Sequence, residues 1–173
     1  MSAITPVIDV RAPRVRDRSR VRHLVAATDR FRQDEIDVAV EVFDDATREP
    51  GVDYHGLAAY QGDGLVGFTL FGPVACTVAT WDLYWIVVDP DVQGQGIGRR
   101  LLQRTESAIR SAGGRLIVVE TSSRPDYAAT RKFYEAVGYR RAAEIADYYA
   151  AGEALVVYSK NLDPPTTEMA PYG

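Results

Sequence analysis

The sequence predicts a mixed α/β domain in which helices flank a central sheet. Apolar residues recur at helical spacing before Pro50 and change to strand spacing over residues 56–89. A glycine-rich turn at residues 93–98 then joins a strand to a helix. A strand, a helix and two more strands follow. The predicted order is therefore strand, helix, helix, three strands, helix, strand, helix and two strands.

The N-terminal part contains one short strand and two helices. The strand lies near residues 7–12, and the first helix follows Asp17, a residue type that commonly caps helix N-termini. The second helix covers residues 33–46, where apolar residues at positions i, i+4 and i+7 form one face. The sequence Glu49-Pro50-Gly51 ends this helix.

Three strands come next. Residues 56–61 and 65–71 pair as a hairpin around the turn sequence Asp63-Gly64. Residues 80–89 form a long strand of apolar, aromatic and β-branched side chains. Successive side chains of a strand point to opposite faces. One face therefore carries Leu83, Trp85 and Val87, and the other carries Asp82, Tyr84 and Ile86.

The C-terminal half alternates helices and strands. The helix opened by the glycine-rich turn ends near Ala112, before Gly113-Gly114. The remaining predicted elements are a strand over 116–120 that ends in Glu120, a helix over 126–137, and strands over 139–148 and 154–160. We predict one domain over residues 1–162 and a flexible tail over 163–173, which contains three prolines.

Composition excludes several classes of protein. The chain has 173 residues, of which 46% are hydrophobic and 25% charged, as in globular proteins. Its net charge of −4 disfavours nucleic-acid binding. The single cysteine, Cys76, excludes an internal disulfide, indicates a cytoplasmic protein and is expected to be an inert core thiol. With only two separated histidines, no metal site is expected. No apolar run approaches the roughly 18 residues of a membrane helix.

Arginines are concentrated near the N-terminus, where eight of them stand within residues 1–32. Such a segment is either an arm that binds nucleic acid or phosphate, or a solvated helix face. We favour the solvated face, because no aromatic residues alternate with the arginines to stack on bases.

The strongest chemical signal is the turn Gln93-Gly94-Gln95-Gly96-Ile97-Gly98, which follows a strand and opens a helix. Unpaired amide groups at a helix start favour anions together with the helix dipole, and glycines let a ligand approach the backbone. We therefore predict a pyrophosphate site, with Arg99 or Arg100 reaching a further phosphate.

Two common phosphate motifs fit this turn poorly. The Walker pattern requires Gly-Lys-Ser/Thr, whereas Arg99 follows Gly98 here. The dinucleotide pattern requires a third glycine where Arg99 stands, and it usually opens its domain, whereas here an antiparallel meander precedes the turn.

Two motifs resemble the GNAT superfamily of N-acetyltransferases. Residues 93–98 match its Q/R-x-x-G-x-G/A acetyl-CoA motif, and Arg131–Tyr139 matches a second motif in which a helix with Phe-Tyr precedes glycine and an aromatic residue. The resemblance covers about residues 7–162. It implies a mostly antiparallel central sheet of about six to seven strands, flanked by helices and splayed between the fourth and fifth strands. One segment departs from the family pattern: Thr121-Ser122-Ser123 stands where many members carry asparagine, and a serine hydroxyl would replace that contact.

The resemblance also implies the chemistry, which is transfer of an acetyl group from the cosubstrate acetyl-CoA to a primary amine by direct attack. Tyr134 occupies the family position of the proton donor to the leaving thiolate. Adjacent helix residues face different directions, so a core position for Phe133 would leave Tyr134 facing the cofactor. Glu120 is the best candidate for the base, and a capping or salt-bridged surface acid is the equal alternative. The predicted cofactor-binding residues are Ile86, Val87, Val88, Gln93, Gly94, Gln95, Gly96, Ile97, Gly98, Arg99, Ser122 and Tyr134.

The predicted acceptor site consists of Asp82 and Tyr84 on one strand face and Tyr148 as a far wall, and simple sheet packing is the alternative role for these side chains. A small-molecule amine is favoured as the acceptor, with no nucleic-acid or membrane partner. Exposed strands near the C-terminus would allow a homodimer. Two other functions stay open: a non-catalytic sensor module that binds acyl-CoA, and an acetyltransferase for protein N-termini or lysines.

Overall fold

The computed structural model describes residues 7–162, and the predicted tail over 163–173 lies outside the described residues. The strands within this range are β1 (Ile8–Arg11), β2 (His55–Gln61), β3 (Gly64–Pro73), β4 (Thr80–Val88), β5 (Leu116–Ser122), β6 (Arg140–Ala150) and β7 (Glu153–Asn161). The helices are α1 (Arg18–Ala27), α2 (Gln33–Arg48), α3 (Ile97–Ser111) and α4 (Ala128–Ala136). The predicted order of elements is confirmed.

The strands follow the order β1-β2-β3-β4-β5-β7-β6, which is a seven-stranded sheet. The registered pairs β1–β2, β2–β3, β5–β7 and β6–β7 are antiparallel. These features confirm the predicted mixed α/β class. No helix in residues 7–162 is long and apolar enough to cross a membrane.

The described chain forms two compact units. The first runs to Pro73 and resumes with Asp82–Ser107, and the second contains Val74–Trp81 and the described residues from Ala108 on. In the first unit, α1 and α2 pack their apolar faces on β2 and β3, where Phe43 of α2 meets Phe68 of β3 edge to face at 6.5 Å. The predicted period of α2 is confirmed, since its buried residues are Ile36, Ala39, Val40, Phe43, Asp44 and Ala46.

The arginine cluster is largely neutralised inside the first unit. Four ion pairs join Arg11 to Asp9 at 2.7 Å, Arg14 to Asp17 at 3.2 Å, Arg18 to Asp44 at 2.8 Å and Arg22 to Asp37 at 2.7 Å. Asp17 and Asp44 are buried, whereas the pairs of Arg11 and Arg22 are exposed and stabilise the fold only weakly. They agree with the solvated-face interpretation of this segment.

One sequence-based expectation about a single residue is wrong, and another is confirmed in position but not in its contact. Cys76 is exposed instead of buried, because it lies in the turn before β4. Asp17 is the N-cap residue of α1, as predicted, but its side chain makes no capping hydrogen bond to that helix. Its carboxylate instead accepts hydrogen bonds from the Arg14 amide at 3.1 Å and from the Tyr60 hydroxyl.

The contact between Tyr60 and Asp17 predicts a pH dependence of stability. Burial raises the pKa of Tyr60 from its ordinary value of 10.0 to about 12, and its hydrogen bond to Asp17 adds to the shift. The folded protein therefore keeps a proton on Tyr60 that the unfolded chain loses above pH 10. This contribution is complete below pH 10 and is lost as the pH rises toward 12.

The measurement is the free energy of unfolding in denaturant from pH 8 to pH 11, for the wild type and for Tyr60→Phe. We expect the wild type's advantage over the variant to shrink above about pH 10. An advantage that stays constant over this range would contradict the prediction.

Candidate active site

The glycine-rich turn lies in the first unit, between β4 and α3. Gly94 and Gly96 both have φ of +79°, a conformation that residues with a Cβ rarely adopt. Apart from the glycine itself and its two chain neighbours, no described residue has an atom within 4 Å of the place where a Cβ would stand on Gly94 or Gly96. The backbone of the turn is therefore open to a ligand, and a side chain at these positions would project into that open space.

The start of α3 faces this turn with unsatisfied amide groups. The earliest helical bond runs from the Arg100 amide to the Gly96 carbonyl at 3.0 Å, and amides before it in a helix lack such partners. Arg99 and Arg100 are exposed, and no carboxylate of residues 7–162 forms an ion pair with either. Amides, helix dipole and guanidinium groups together make a positive site suited to an anion.

The glutamines of the turn differ in their contacts. Gln93 is exposed, and its Nε2 donates a hydrogen bond to the Val88 carbonyl at 3.1 Å, which ties the turn to the end of β4. Gln95 is also exposed. On β4 itself, Val87 is buried in the core of the first unit, while Ile86 and Val88 are half-buried.

The predicted acceptor residues Asp82 and Tyr84 also belong to the first unit. Tyr84 is 40% exposed, and its ring meets that of Tyr54 edge to face at 5.6 Å. Partial burial raises the pKa of Tyr84, and the negative charge of Asp82 adds to this shift. Asp82 and Tyr84 stand two positions apart on β4, so their side chains share one face of the strand.

Tyr134 lies in the second unit and is only 3% exposed. Its ring centroid is 5.6 Å from those of Phe133 and Tyr139 and 5.9 Å from that of Tyr158. Phe133, in contrast, is only half-buried. The sequence predicts the opposite, with Phe133 in the core and Tyr134 facing the cofactor. Burial raises the pKa of Tyr134 well above its ordinary value, so its hydroxyl stays protonated through the neutral and mildly alkaline range.

Two contacts from β7 hold the C-terminal end of α4. The Tyr158 hydroxyl donates to Glu135 Oε1 at 2.8 Å. Lys160 Nζ donates to the Val137 carbonyl at 3.0 Å and lies 5.4 Å from the centre of the Tyr139 ring. These contacts fix the helix that carries Tyr134.

The end of β5 differs from its predicted position. The strand continues past Glu120 through Ser122, because Thr121 pairs with Val156 and Ser122 with Leu155 of β7. Glu120 is exposed. Burial raises the pKa of Tyr149 to about 12, and the negative charge of Glu120 adds to the shift. The charge of Glu120 therefore acts on Tyr149 of β6.

The hydroxyl groups after Glu120 have different environments. Ser122 Oγ donates to Glu153 Oε1 at 2.7 Å and accepts from the Arg124 amide at 3.0 Å, so its hydrogen bonds are largely occupied within the protein. Thr121 is 6% exposed, and its buried Oγ1 has no hydrogen-bond partner within residues 7–162. Sequence reasoning missed Thr121, although its place in the segment that replaces the family's asparagine is a signal for it.

Two exposed tyrosines of β6 also belong to the second unit. Tyr148 is 54% and Tyr149 45% exposed, and their rings meet edge to face at 4.9 Å. The predicted phosphate-binding residues thus lie together on the first unit, with Asp82 and Tyr84. Glu120, Ser122, Tyr134 and Tyr148 lie on the second. Among residues 7–162, no three His, Cys, Asp or Glu side chains are arranged to hold a metal ion.

Comparison with known proteins defines the class of this chain. The family model of the GNAT acetyltransferase domain matches residues 53–141, slightly more than half of the sequence. A solved GNAT-family structure from Desulfovibrio desulfuricans has a TM-score of 0.87 and 35% identity, with 91% of this chain and 100% of that chain covered. The chain therefore belongs to the GNAT superfamily of acetyltransferases, as its two motifs predict.

Two further proteins are similar to this chain. It is 35% identical over 101 residues to the N-alpha-acetyltransferase RimI of Mycobacterium tuberculosis, over 58% of this chain and 61% of that protein. The match thus spans about three fifths of that relative's length. The aminoglycoside 6'-N-acetyltransferase from Enterococcus faecium has a TM-score of 0.71 at 18% identity, with 91% and 99% of the two chains covered, and so shares the fold.

Proposed function

We propose that this chain is an acetyl-CoA-dependent N-acetyltransferase that acts on a primary amine by direct attack. The open glycine turn before the positive start of α3 carries this proposal, because Gly94 and Gly96 leave their amides accessible to a pyrophosphate. Family membership and the retained Tyr134 support catalysis over a pure sensor role, since a binding module does not need a buried proton donor.

The glycine turn and the end of β4 hold the cosubstrate. The amides of residues 94–98 bind the phosphates, and Arg99 reaches a further anionic oxygen. The backbone of residues 86–88 pairs with the extended amide groups of the pantetheine arm in the manner of an added strand. Bound acetyl-CoA supplies a thioester carbonyl that is reactive toward amines.

Tyr134 and Glu120 are the residues that move protons. Tyr134 donates a proton to the thiolate as the carbonyl–sulfur bond breaks, which releases CoA as a thiol with an ordinary pKa near 8.5, and its phenolate regains a proton from the nitrogen of the new amide. Burial raises the pKa of Tyr134, so its hydroxyl is protonated at neutral pH before the reaction begins. Glu120 takes the proton of the incoming ammonium, directly or through water, and its exposure gives an amine access to it.

The acceptor is an amine that bears positive charge before reaction, which suits the carboxylates of Glu120 and Asp82. Our sequence interpretation favours a small molecule. The exposure of Tyr148 and Tyr149 and the similarity to an N-alpha-acetyltransferase favour a second candidate, the amino terminus of a peptide. An open aromatic wall accommodates a chain that continues away from the reacting amine.

One assay separates these functions. Thiol release from acetyl-CoA is measured with a panel of small amines and with peptides whose N-terminus is free or blocked. Release with small amines supports the first acceptor class, and release that requires a free peptide N-terminus supports the second. If the protein binds acetyl-CoA but releases no thiol with any amine or peptide, the enzymatic function is contradicted, and the non-catalytic sensor role remains.

Thr121 is the basis of a further prediction about the cosubstrate site. A buried hydroxyl without a partner is costly, so we assign its hydrogen bond to bound acetyl-CoA. Thr121→Val keeps the shape and removes the hydroxyl. We expect the KM for acetyl-CoA to rise about 2- to 12-fold, the equivalent of one hydrogen bond, while the free energy of unfolding does not fall.

The matched control is Ser122→Ala, the neighbouring hydroxyl. It removes the bonds to Glu153 and the Arg124 amide, so it should lower stability. A Thr121→Val variant with unchanged KM for acetyl-CoA would exclude the assigned contact.

A further inference from the structure

Asp89 connects three parts of the first unit through its carboxylate and its backbone amide, at the point where β4 leads into the glycine turn. Its Oδ1 accepts a hydrogen bond from the Asp91 amide at 3.1 Å and so caps the short 3₁₀ turn at Pro90–Val92. Its Oδ2 accepts a hydrogen bond from Arg20 Nη2 of α1. The Asp89 amide donates to the Val66 carbonyl of β3 at 2.8 Å.

A second nitrogen of the Arg20 guanidinium is also hydrogen-bonded. Its Nε donates to the Leu65 carbonyl at 3.1 Å, so one guanidinium bridges β3 and Asp89. The Asp89 side chain is 14% exposed and that of Arg20 38%, which makes this pair less exposed than the pair between Arg22 and Asp37. Charge-assisted bonds with two fixed partners are stronger and more directional than single surface pairs.

The glycine turn needs such an anchor. Gly94 and Gly96 have no neighbouring side chains around their Cβ positions among the described residues, and glycine restricts the backbone least of all residues. The tethers that precede α3 are the Gln93 bond to the Val88 carbonyl and the group centred on Asp89. A turn already fixed in its binding conformation loses less entropy when it binds a ligand.

We propose that Arg20 is a positioning residue for the pyrophosphate-binding turn and acts through Asp89. This inference rests on the proposed function, because it concerns the same cosubstrate. Arg20 does not touch the ligand: through Asp89 it holds the 3₁₀ turn that leads into the glycine turn, so that the amides of residues 94–98 converge on the phosphates.

Two donors test the proposal. Acetyl-CoA carries the pyrophosphate, and S-acetyl-pantetheine offers the same thioester without it. For Arg20→Gln we expect the KM for acetyl-CoA and the dissociation constant of CoA to rise about tenfold. The kcat at saturation and the KM for S-acetyl-pantetheine should stay unchanged. Asp89→Asn should reproduce this pattern, and Arg20→Lys should restore part of the affinity.

The matched control is Arg22→Gln, two residues further along α1. It removes the ion pair between Arg22 and Asp37, whose charged atoms lie 2.7 Å apart. It should leave the kinetics with both donors unchanged. Equal weakening of both donors by Arg20→Gln, or no weakening, would overturn the proposal. So would loss of folding in both Arg20→Gln and Asp89→Asn, since the pair would then be structural only. A wild type that does not bind CoA would instead refute the proposed function.

Discussion

Replacing Tyr134 with phenylalanine is expected to lower turnover by about 10- to 10⁴-fold, the usual range for loss of a positioned proton donor. The substitution removes only the hydroxyl, and the remaining ring can keep its contacts with Phe133, Tyr139 and Tyr158. The fold and the dissociation constant of CoA should therefore stay close to those of the wild type. Steady-state kinetics and calorimetric CoA binding measure the two quantities separately.

Tyr139→Phe is the matched control, because it removes a hydroxyl from the same aromatic cluster. Its turnover should remain that of the wild type. The pH profile adds an independent check: burial raises the pKa of Tyr134, so the wild-type rate should not fall between pH 8 and pH 10 through ionisation of this group. Equal rates in Tyr134→Phe and the wild type would remove Tyr134 from the mechanism.

Replacing Gly96 with valine is expected to abolish measurable binding of CoA. Gly96 has φ of +79°, which costs a residue with a Cβ about 1–2 kcal/mol. The added side chain would stand in the open space before the amides of the turn, where a phosphate must approach. Strain and steric obstruction therefore act at the same site, and both weaken ligand binding. Calorimetric titration with CoA measures the effect.

Gly113→Val separates obstruction from strain. Gly113 follows the C-terminal end of α3, has φ of +83° and likewise has no described atom within 4 Å of its Cβ position. Its substitution should lower stability to a similar extent and leave CoA affinity unchanged. If Gly96→Val bound CoA with wild-type affinity, the turn could not be the phosphate site.

Local patterns predicted the order of elements and the site's central turn because their causes are local. The period of α2 reflects one buried face, and the turn at residues 93–98 reflects glycines that permit positive φ. The reversed burial of Phe133 and Tyr134 has a different origin. The side chains of neighbouring helix residues point in different directions, but the sequence of the helix does not say which one is buried. Here Tyr134 packs against Tyr139 and Tyr158, and Tyr158 belongs to the distant strand β7.

Longer-range contacts also explain the other differences. Asp17 is a residue type that commonly caps helices, yet its carboxylate accepts a hydrogen bond from the Tyr60 hydroxyl, 43 positions away. The end of β5 was predicted at Glu120, but pairing with β7 extends the strand to Ser122. Within this extended strand, the Ser122 hydroxyl donates to Glu153, whereas the Thr121 hydroxyl is buried without a hydrogen-bond partner among the described residues. No local pattern distinguishes these two hydroxyls.

The contact of Lys160 with the end of α4 has a consequence for an enzyme that consumes amines. The chain contains only two lysines, Lys132 and Lys160, among its many arginines. A guanidinium stays protonated and is a poor acetyl acceptor. The Lys160 amine is engaged by the Val137 carbonyl and the Tyr139 ring, whereas Lys132 is exposed. The described surface thus presents almost no lysine nucleophile that could intercept the protein's own acetyl donor.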